Sequence, residues 1–329
     1  MPRAGVLILL YHRVTEPDAD PQRLAVRPAH FAAHLEAIRA AADVLSLAEL
    51  VTALDAGRLP ARGIVVTFDD GYADNATTAA PLLTAAHVPA TFFLTSRYVD
   101  GTREFWWDEL EQILLGPAVL PPALRLSLDG AAWVADLGTA AAWTPATVAA
   151  HRGWTVEDRD PTPRHVAYRA LCTALKPMTG AARTHVLDAL AAQARLTPMI
   201  RPTHRPMRAS EALALARTPG LSVGAHSASH PSLAALPVSD QRAELLESRN
   251  TLTHLTQAPI AHMAYPFGGR GDQSWRTRRA ARAAGYTAAC ANEPGLVRSR
   301  AARFRLPRVL VRDWDAATFT GQLERWFDA

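Results

Sequence analysis

Residues 63–72 read Gly-Ile-Val-Val-Thr-Phe-Asp-Asp-Gly-Tyr. Ile64–Phe68 is a short apolar run rich in β-branched and aromatic side chains, which predicts a buried strand. It ends on two adjacent carboxylates, Asp69 and Asp70, and on Gly71, which lets the chain turn sharply. Asp74–Ala86 then has helical character as far as Val88-Pro89, where proline cannot continue a helix. Ala90–Leu94 (ATFFL) is the next predicted strand.

The same alternation recurs on either side. Val6–Tyr11 predicts a first strand. Leu221–Ala225 leads into His226, and Ala261–Tyr265 leads into Pro266. Between these two, Ser239–Leu255 reads as a helix with Ser239 as N-cap and apolar residues at Leu245, Leu246, Leu252 and Leu255. Asp272–Ala284 is a helix stopped by Gly285, followed by strand-like Tyr286–Cys290, a last strand at Leu306–Val311 and a closing helix over Thr318–Phe327. Strands alternating with helices predict parallel β/α units. Suggestive side chains sit at the C-terminal ends of several different strands, which favours a closed barrel over an open doubly wound sheet. No GxGxxG or Walker pattern is present. The alternation lapses over about 102–206, where EFWWDELEQILL, a Pro/Ala-rich region and a helical segment His165–Leu196 read as an insertion in one β/α loop, a helical lid or subdomain within a single 1–329 domain.

Length and composition agree with this. The chain has 329 residues, 49% hydrophobic and 20% charged, ordinary for a globular protein with a large core. Its formal charge of +4 is spread, with Lys176 the single lysine, and no basic run is interleaved with aromatics as a nucleic-acid face requires. Cys172 and Cys290 lie in apolar stretches and read as small buried residues rather than a disulfide or zinc framework. Val6–Leu10 is shorter than a signal-peptide core and no stretch approaches the ~20 apolar residues of a membrane span, so a cytoplasmic protein without an integral membrane segment is expected. Oligomeric state is not legible.

Four clusters carry chemistry. Adjacent carboxylates at a strand end point in different directions, so one can ligate a metal while the other accepts a proton; Asp at a strand-to-helix turn is equally a helix N-cap. His226-Ser227-Ala228-Ser229-His230 also follows a strand directly. Histidines at i and i+4 share a face if the segment turns helically, and two imidazoles with one carboxylate and open positions form a recurrent hydrolytic zinc site; unrelated loop histidines are the plainer reading. Tyr11-His12-Arg13 ends the first strand, where a lone histidine is usually structural. Ala264-Tyr265-Pro266-Phe267-Gly268-Gly269 is by itself a turn signal that leaves the Phe267 amide able to point into a site.

Taken together, TFDDG, HSxSH and YPFG in that order resemble the polysaccharide deacetylases, a carbohydrate esterase family built on a distorted (β/α)7 barrel. The resemblance covers about 1–100 and 206–320. It implies that Asp69 is the general base and that Asp70, His226 and His230 bind a divalent metal, expected to be Zn²⁺, although the same ligands accept cobalt, nickel or iron. The chain departs from the commonest family pattern at Ala264, where arginine is usual, at Phe267, where tyrosine is usual, and in having no histidine after His262 to serve as general acid. One branch opens with a Tyr-His-x-Val strand, matched by Tyr11-His12-Arg13-Val14, which makes His12 the expected acid. Arg308 is the candidate to replace the arginine beside Asp69, and Asp313 the candidate to orient His12. Tyr265, Pro266 and Phe267 are expected at the oxyanion. Tyr72, Trp275 and Trp314, and Trp106 and Trp107 of the insertion, are candidates to line a sugar groove, with packing the simpler reading. The reaction implied is removal of N-acetyl groups from an amino-sugar oligo- or polysaccharide, or its lipid-linked precursor, releasing acetate. A non-sugar amide substrate, a non-haem iron oxygenase and a non-catalytic glycan-binding relative are the rival readings.

Overall fold

The computed structural model describes residues 5–328. They form two compact units: one holds the residues up to Glu16, Leu24–Asp100 and those from Met207 on, the other Pro17–Arg23 and Gly101–Pro206.

The first unit is built on seven parallel strands: β1 (Gly5–Tyr11), β2 (Arg62–Phe68), β3 (Ala90–Leu94), β4 (Leu221–Ala225), β5 (His262–Ala264), β6 (Ala288–Cys290) and β7 (Val309–Leu310). Their spatial order is β6-β5-β4-β3-β2-β1-β7, every neighbouring pair parallel. The two ends of that row meet. Cys290 of β6 bridges Leu306, just before β7, with Ala291 N–H donating to Leu306 O at 2.8 Å and Leu306 N–H to Ala289 O at 3.0 Å. The sheet thus curls into a small, irregular barrel of the distorted (β/α)7 kind. A further short strand, Asp43–Val44, pairs with β2.

Alternation along the strands divides their side chains between two cores. Leu7, Leu9 and Tyr11 of β1, with Ile64, Val66 and Phe68 of β2, pack in one cluster with residues of helices α1 (Pro28–Ala41), α2 (Ala80–Ala86), α3 (Val238–Thr256), α4 (Trp275–Ala283) and α5 (Ala316–Asp328). Val6, Ile8, Val65, Phe93, Ala264 and Cys290 occupy the other. His12 and Asp69 continue the second set at the C-terminal ends of β1 and β2. In a parallel β/α barrel that end carries the functional groups.

Several elements differ locally from the sequence reading. Asp74–Ala86 is a π-helical stretch, Asn75–Ala79, running into α2. Ser239 does not cap α3, which starts at Val238 with Pro237 before it; its hydroxyl donates to Asp240 instead. In the second unit the helical segment breaks at Pro177 into Pro163–Leu175 and Gly180–Gln193. The Pro/Ala-rich region contains an antiparallel hairpin, Ala123–Leu128 with Ala131–Asp136. Its turn is Asp129-Gly130, both at positive φ, the two-residue geometry that matches strand twist. This unit is therefore mixed α/β rather than purely helical.

His34 offers a test of the packing. Its ring is buried, stacked on Phe319 with centroids 3.9 Å apart; Nε2 lies 2.7 Å from Trp314 O and Nδ1 3.2 Å from Tyr11 Oη. Burial lowers its pKa from 6.5 to about 4. The unfolded chain therefore takes up this proton first as the pH falls, so the stability tied to neutral His34 is complete above about 6.5 and lost between there and about 4. Denaturant unfolding from pH 7 to 4 should show a loss of up to about 3 kcal/mol from this group. His34→Gln should flatten that part of the profile; an unchanged profile would contradict the assignment.

Candidate active site

Asp69 and Asp70 leave β2 in opposite roles. Asp69 N–H donates to Tyr11 O at 3.0 Å, and its carboxylate receives both ends of the Arg308 guanidinium, Nη1 to Oδ1 and Nη2 to Oδ2, each at 2.7 Å. Arg308 is fully buried; its Nη1 also reaches Thr67 Oγ1 at 3.3 Å and its Nε donates to Ala291 O at 3.0 Å. Burial alone would raise the Asp69 pKa, but the Arg308 charge, with His226, holds it below the ordinary carboxylate value. Asp69 is thus kept ionised in a buried place. Asp70 turns away at φ +74°, left-handed backbone that non-glycine residues rarely adopt, and Thr95 N–H holds its carbonyl at 3.0 Å. Gly71 follows at φ +96°, with a Cβ there meeting Leu94 Cδ2 at 2.9 Å. Burial raises the Asp70 pKa.

The Asp70 carboxylate faces two histidines. His230 Nε2 is 3.2 Å and His226 Nε2 3.6 Å from its Oδ1. The three ligand atoms lie within 4.8 Å of one another, and all three residues are buried. His226 Nδ1 sits 2.9 Å from Ala264 O; as a carbonyl can only accept, Nδ1 carries the proton and Nε2 keeps its lone pair toward Asp70. Burial takes the His226 pKa down to about 4, leaving the ring neutral. Two imidazole nitrogens and a carboxylate converging in a buried place suit a divalent cation. The segment joining the histidines is not helical: Ser227 and His230 both have φ +61°. The i, i+4 spacing brings the rings together, with centroids 4.9 Å apart, through a doubly left-handed loop rather than a helical turn.

His12 completes the cluster from β1. Burial lowers its pKa, opposed by the charges of Asp70 and then Asp69, which places its ring in their field. The backbone around it is clamped from the helix following Asp70. Asn75 Nδ2 donates to His12 O at 2.7 Å, while Asp74 accepts from Val14 N–H at 2.9 Å and pairs with Arg13 Nη2 at 3.0 Å. In the YPFG turn, Phe267 has φ +60° and packs its ring edgewise on His230, centroids 4.8 Å apart, next to Pro266. Tyr265 is buried in the core shared with the helices and donates from Oη to Phe304 O at 3.1 Å, so its hydroxyl is committed there and not to the site.

Other expectations are corrected. Asp313 is committed to Arg27, whose N–H and Nε lie at 2.9 and 2.7 Å, and to His30 Nδ1 at 2.8 Å, so it does not orient His12. Tyr72 is fully buried under the Arg13 guanidinium, 4.3 Å from its ring centroid. Trp314 packs on Trp326 and the core. Trp106 and Trp107 are buried in the second unit and cross edge-to-face. The rings of Tyr72, Trp106 and Trp107 are thus buried in packing, while Trp314 is half-buried against the core. Trp275 is 60% exposed, with the Arg276 guanidinium 5.3 Å from its ring centroid. Asp74, Asn75 and Glu244 were missed. Glu244 could have been noticed as one of three polar residues, with Gln241 and Ser248, spaced i, i+3/4 on one face of α3; all three are buried.

Comparison with known proteins gives the chain a family. The sequence profile described as polysaccharide deacetylase matches residues 56–117 and 158–289, more than half of the chain. No curated protein sequence matches it. Among solved structures, IcaB from Ammonifex degensii superposes with a TM-score of 0.60 at 15% identity over 99% of this chain and 98% of that one. The Streptococcus pyogenes deacetylase PplD, solved in complex with acetate, gives 0.54 at 16% identity over 98% and 99%. The BpsB deacetylase domain from Bordetella bronchiseptica gives 0.54 at 18% identity over 94% and 96%. At such identities these likenesses speak for the fold, and the profile match for the family. With the barrel, and with the matched segments spanning Asp69, Asp70, His226 and His230, the chain belongs to the polysaccharide deacetylase family.

Proposed function

We propose that the protein is a metal-dependent deacetylase that hydrolyses N-acetyl groups on an amino-sugar-containing oligo- or polysaccharide, releasing acetate. The observation that carries this is the convergence of the Asp70, His226 and His230 ligand atoms beside an Asp69 kept ionised by Arg308. A divalent ion held there, Zn²⁺ in our reading, supplies Lewis acidity that activates water and polarises the acetyl carbonyl.

The protein's own groups do the rest. Asp69 accepts the proton of the attacking water as its oxygen bonds to the amide carbon. A proton from His12 goes to the departing nitrogen as the C–N bond breaks, leaving acetate and a free amine. For this His12 has to be charged; burial lowers its pKa on balance, and the charges of Asp70 and Asp69 act against that lowering. The Phe267 backbone N–H is the proposed second donor to the oxyanion, a role typically worth about 3–4 kcal/mol.

Acetate release from a panel of N-acetylated oligosaccharides, using chelator-treated protein with and without added Zn²⁺, tests the reading. Release that disappears on chelation and returns with zinc is expected. Full release after exhaustive chelation would remove the metal from the mechanism. Turnover of only non-sugar acetamides would move the substrate class while leaving the site intact. Among the described residues no helix is long and apolar enough to cross a membrane.

A further inference from the structure

The loop that presents the two histidines is held from both sides. From the strand side, Ser96 N–H donates to Ser227 O at 3.2 Å and Arg97 N–H to Ala228 O at 2.9 Å. Within the loop, His230 N–H donates to Ser227 Oγ at 3.0 Å. From the helix side it is held by Glu244 of α3. Its Oε2 accepts from Ala228 N–H at 3.0 Å and Ser229 N–H at 2.8 Å, and its Oε1 from Ser229 Oγ at 2.6 Å. Glu244 is 8% exposed. These three bonds go to the loop backbone and the Ser229 hydroxyl rather than to ligand atoms.

Two left-handed non-glycine residues within four positions are an unfavourable backbone state that persists only where the surroundings over-determine it. Ser227 and His230 are in that state, and the three bonds to Glu244 fall between them. A single carboxylate satisfying two consecutive N–H groups fixes the loop's path, and hence the angle at which the His230 ring leaves it. Arg97 cannot substitute, because a guanidinium has only donors and cannot accept the two N–H bonds; it pairs instead with Glu247, with both nitrogen–oxygen distances 2.6 Å.

We infer that Glu244 is a positioning residue for the metal centre: it sets the affinity of the Asp70–His226–His230 site for its cation by locking the 226–230 loop in the ligating conformation. This rests on the metal-dependent reading above. The action is geometric, through acceptor oxygens on two backbone amides and a hydroxyl, and does not depend on the glutamate's charge.

That distinction orders the variants. In Glu244→Gln the amide oxygen can accept both N–H bonds while the NH₂ group donates to Ser229 Oγ, so the lock survives without charge. In Glu244→Asp the charge survives, but the oxygens retreat by a methylene and lose the loop. Glu244→Ala removes both.

The experiment is Zn²⁺ affinity of the full chain, measured by competition with a chromophoric chelator, alongside thermal unfolding of the metal-free protein. Glu244→Gln is expected near wild type, and Glu244→Ala and Glu244→Asp weaker by about 10–100-fold, the usual loss for an outer-shell partner. A fall in melting temperature with unchanged Zn²⁺ affinity would show a merely structural role and overturn the inference. So would the reverse order, with aspartate retained and glutamine lost, since charge would then be the agent. If Glu244→Ala does not fold, the Gln–Asp comparison decides alone. Wild-type protein that binds no Zn²⁺ overturns the metal reading and this inference with it; wild-type binding with indifferent variants overturns only the inference.

Discussion

Replacing Arg308 by methionine is expected to destabilise the protein by about 3–5 kcal/mol, because it leaves Asp69 buried and unpaired. The two side chains make parallel 2.7 Å bonds in a site where Arg308 is fully buried and Asp69 3% exposed, so little water can take over. Arg308 also bonds to Thr67 and Ala291, tying β2 to the chain after β6 across the barrel. The loss should be coupled to its partner: Asp69→Asn in the Arg308→Met background should cost far less than the sum of the two single changes, since contacting groups are non-additive. Denaturant unfolding of the four proteins reads this directly. Additive losses would mean that the pair stabilises nothing as a pair. In any folded Arg308→Met protein, the Asp69 pKa should rise, because the largest charge opposing burial is gone, and the acid side of the activity profile should move toward neutrality. The arginine reaches Asp69 from a position remote in sequence from Ala264, where relatives of the commonest pattern carry theirs.

The second large effect is on rate. Asp69→Asn is expected to lower acetate release about 10²–10⁴-fold, the range for removing a general base, while Zn²⁺ affinity stays near wild type. The asparagine oxygen can still accept from Arg308, so the barrel should fold. Parallel assays of Asp70→Asn should instead show lost metal binding. His12→Ala should cost a similar 10²–10⁴-fold as loss of the acid. Near-full activity in Asp69→Asn would return the base role to another group; near-full activity in His12→Ala would leave the leaving nitrogen to be protonated from solvent.

Much of the barrel is legible in the amino-acid sequence. The β-branched and apolar runs at Val6–Tyr11, Ile64–Phe68, Ala90–Leu94 and Leu221–Ala225 fall within one or two residues of observed strands, because strand propensity and burial are local properties. Strand ends carrying Asp69-Asp70 and His226 followed by the parallel connections of a barrel put the chemistry at one mouth, and that too follows from chain order. The insertion is visible as a lapse in alternation, but its hairpin is not, although Asp129-Gly130 between alternating segments is the available sign.

What the sequence alone determined, then, is the alternation of strands and helices, the residue types at the strand ends and their order along the chain, since these depend on neighbours within a few positions. Tertiary structure decided who meets whom. Arg308 lies 239 positions from Asp69 and bonds to it bidentately, while Asp313, five residues further on, is taken by Arg27 and His30. Glu244 holds the histidine loop from a helix whose sequence reads as merely amphipathic. Tyr72 lies beside chemistry in sequence but is fully buried, and Trp314 beside Asp313 packs half-buried against the core. The direction of a side chain at the end of a barrel strand, and the partner that satisfies it once water is excluded, are set by the curvature of the closed sheet and the need to pair buried charges; neither is a property of any short segment.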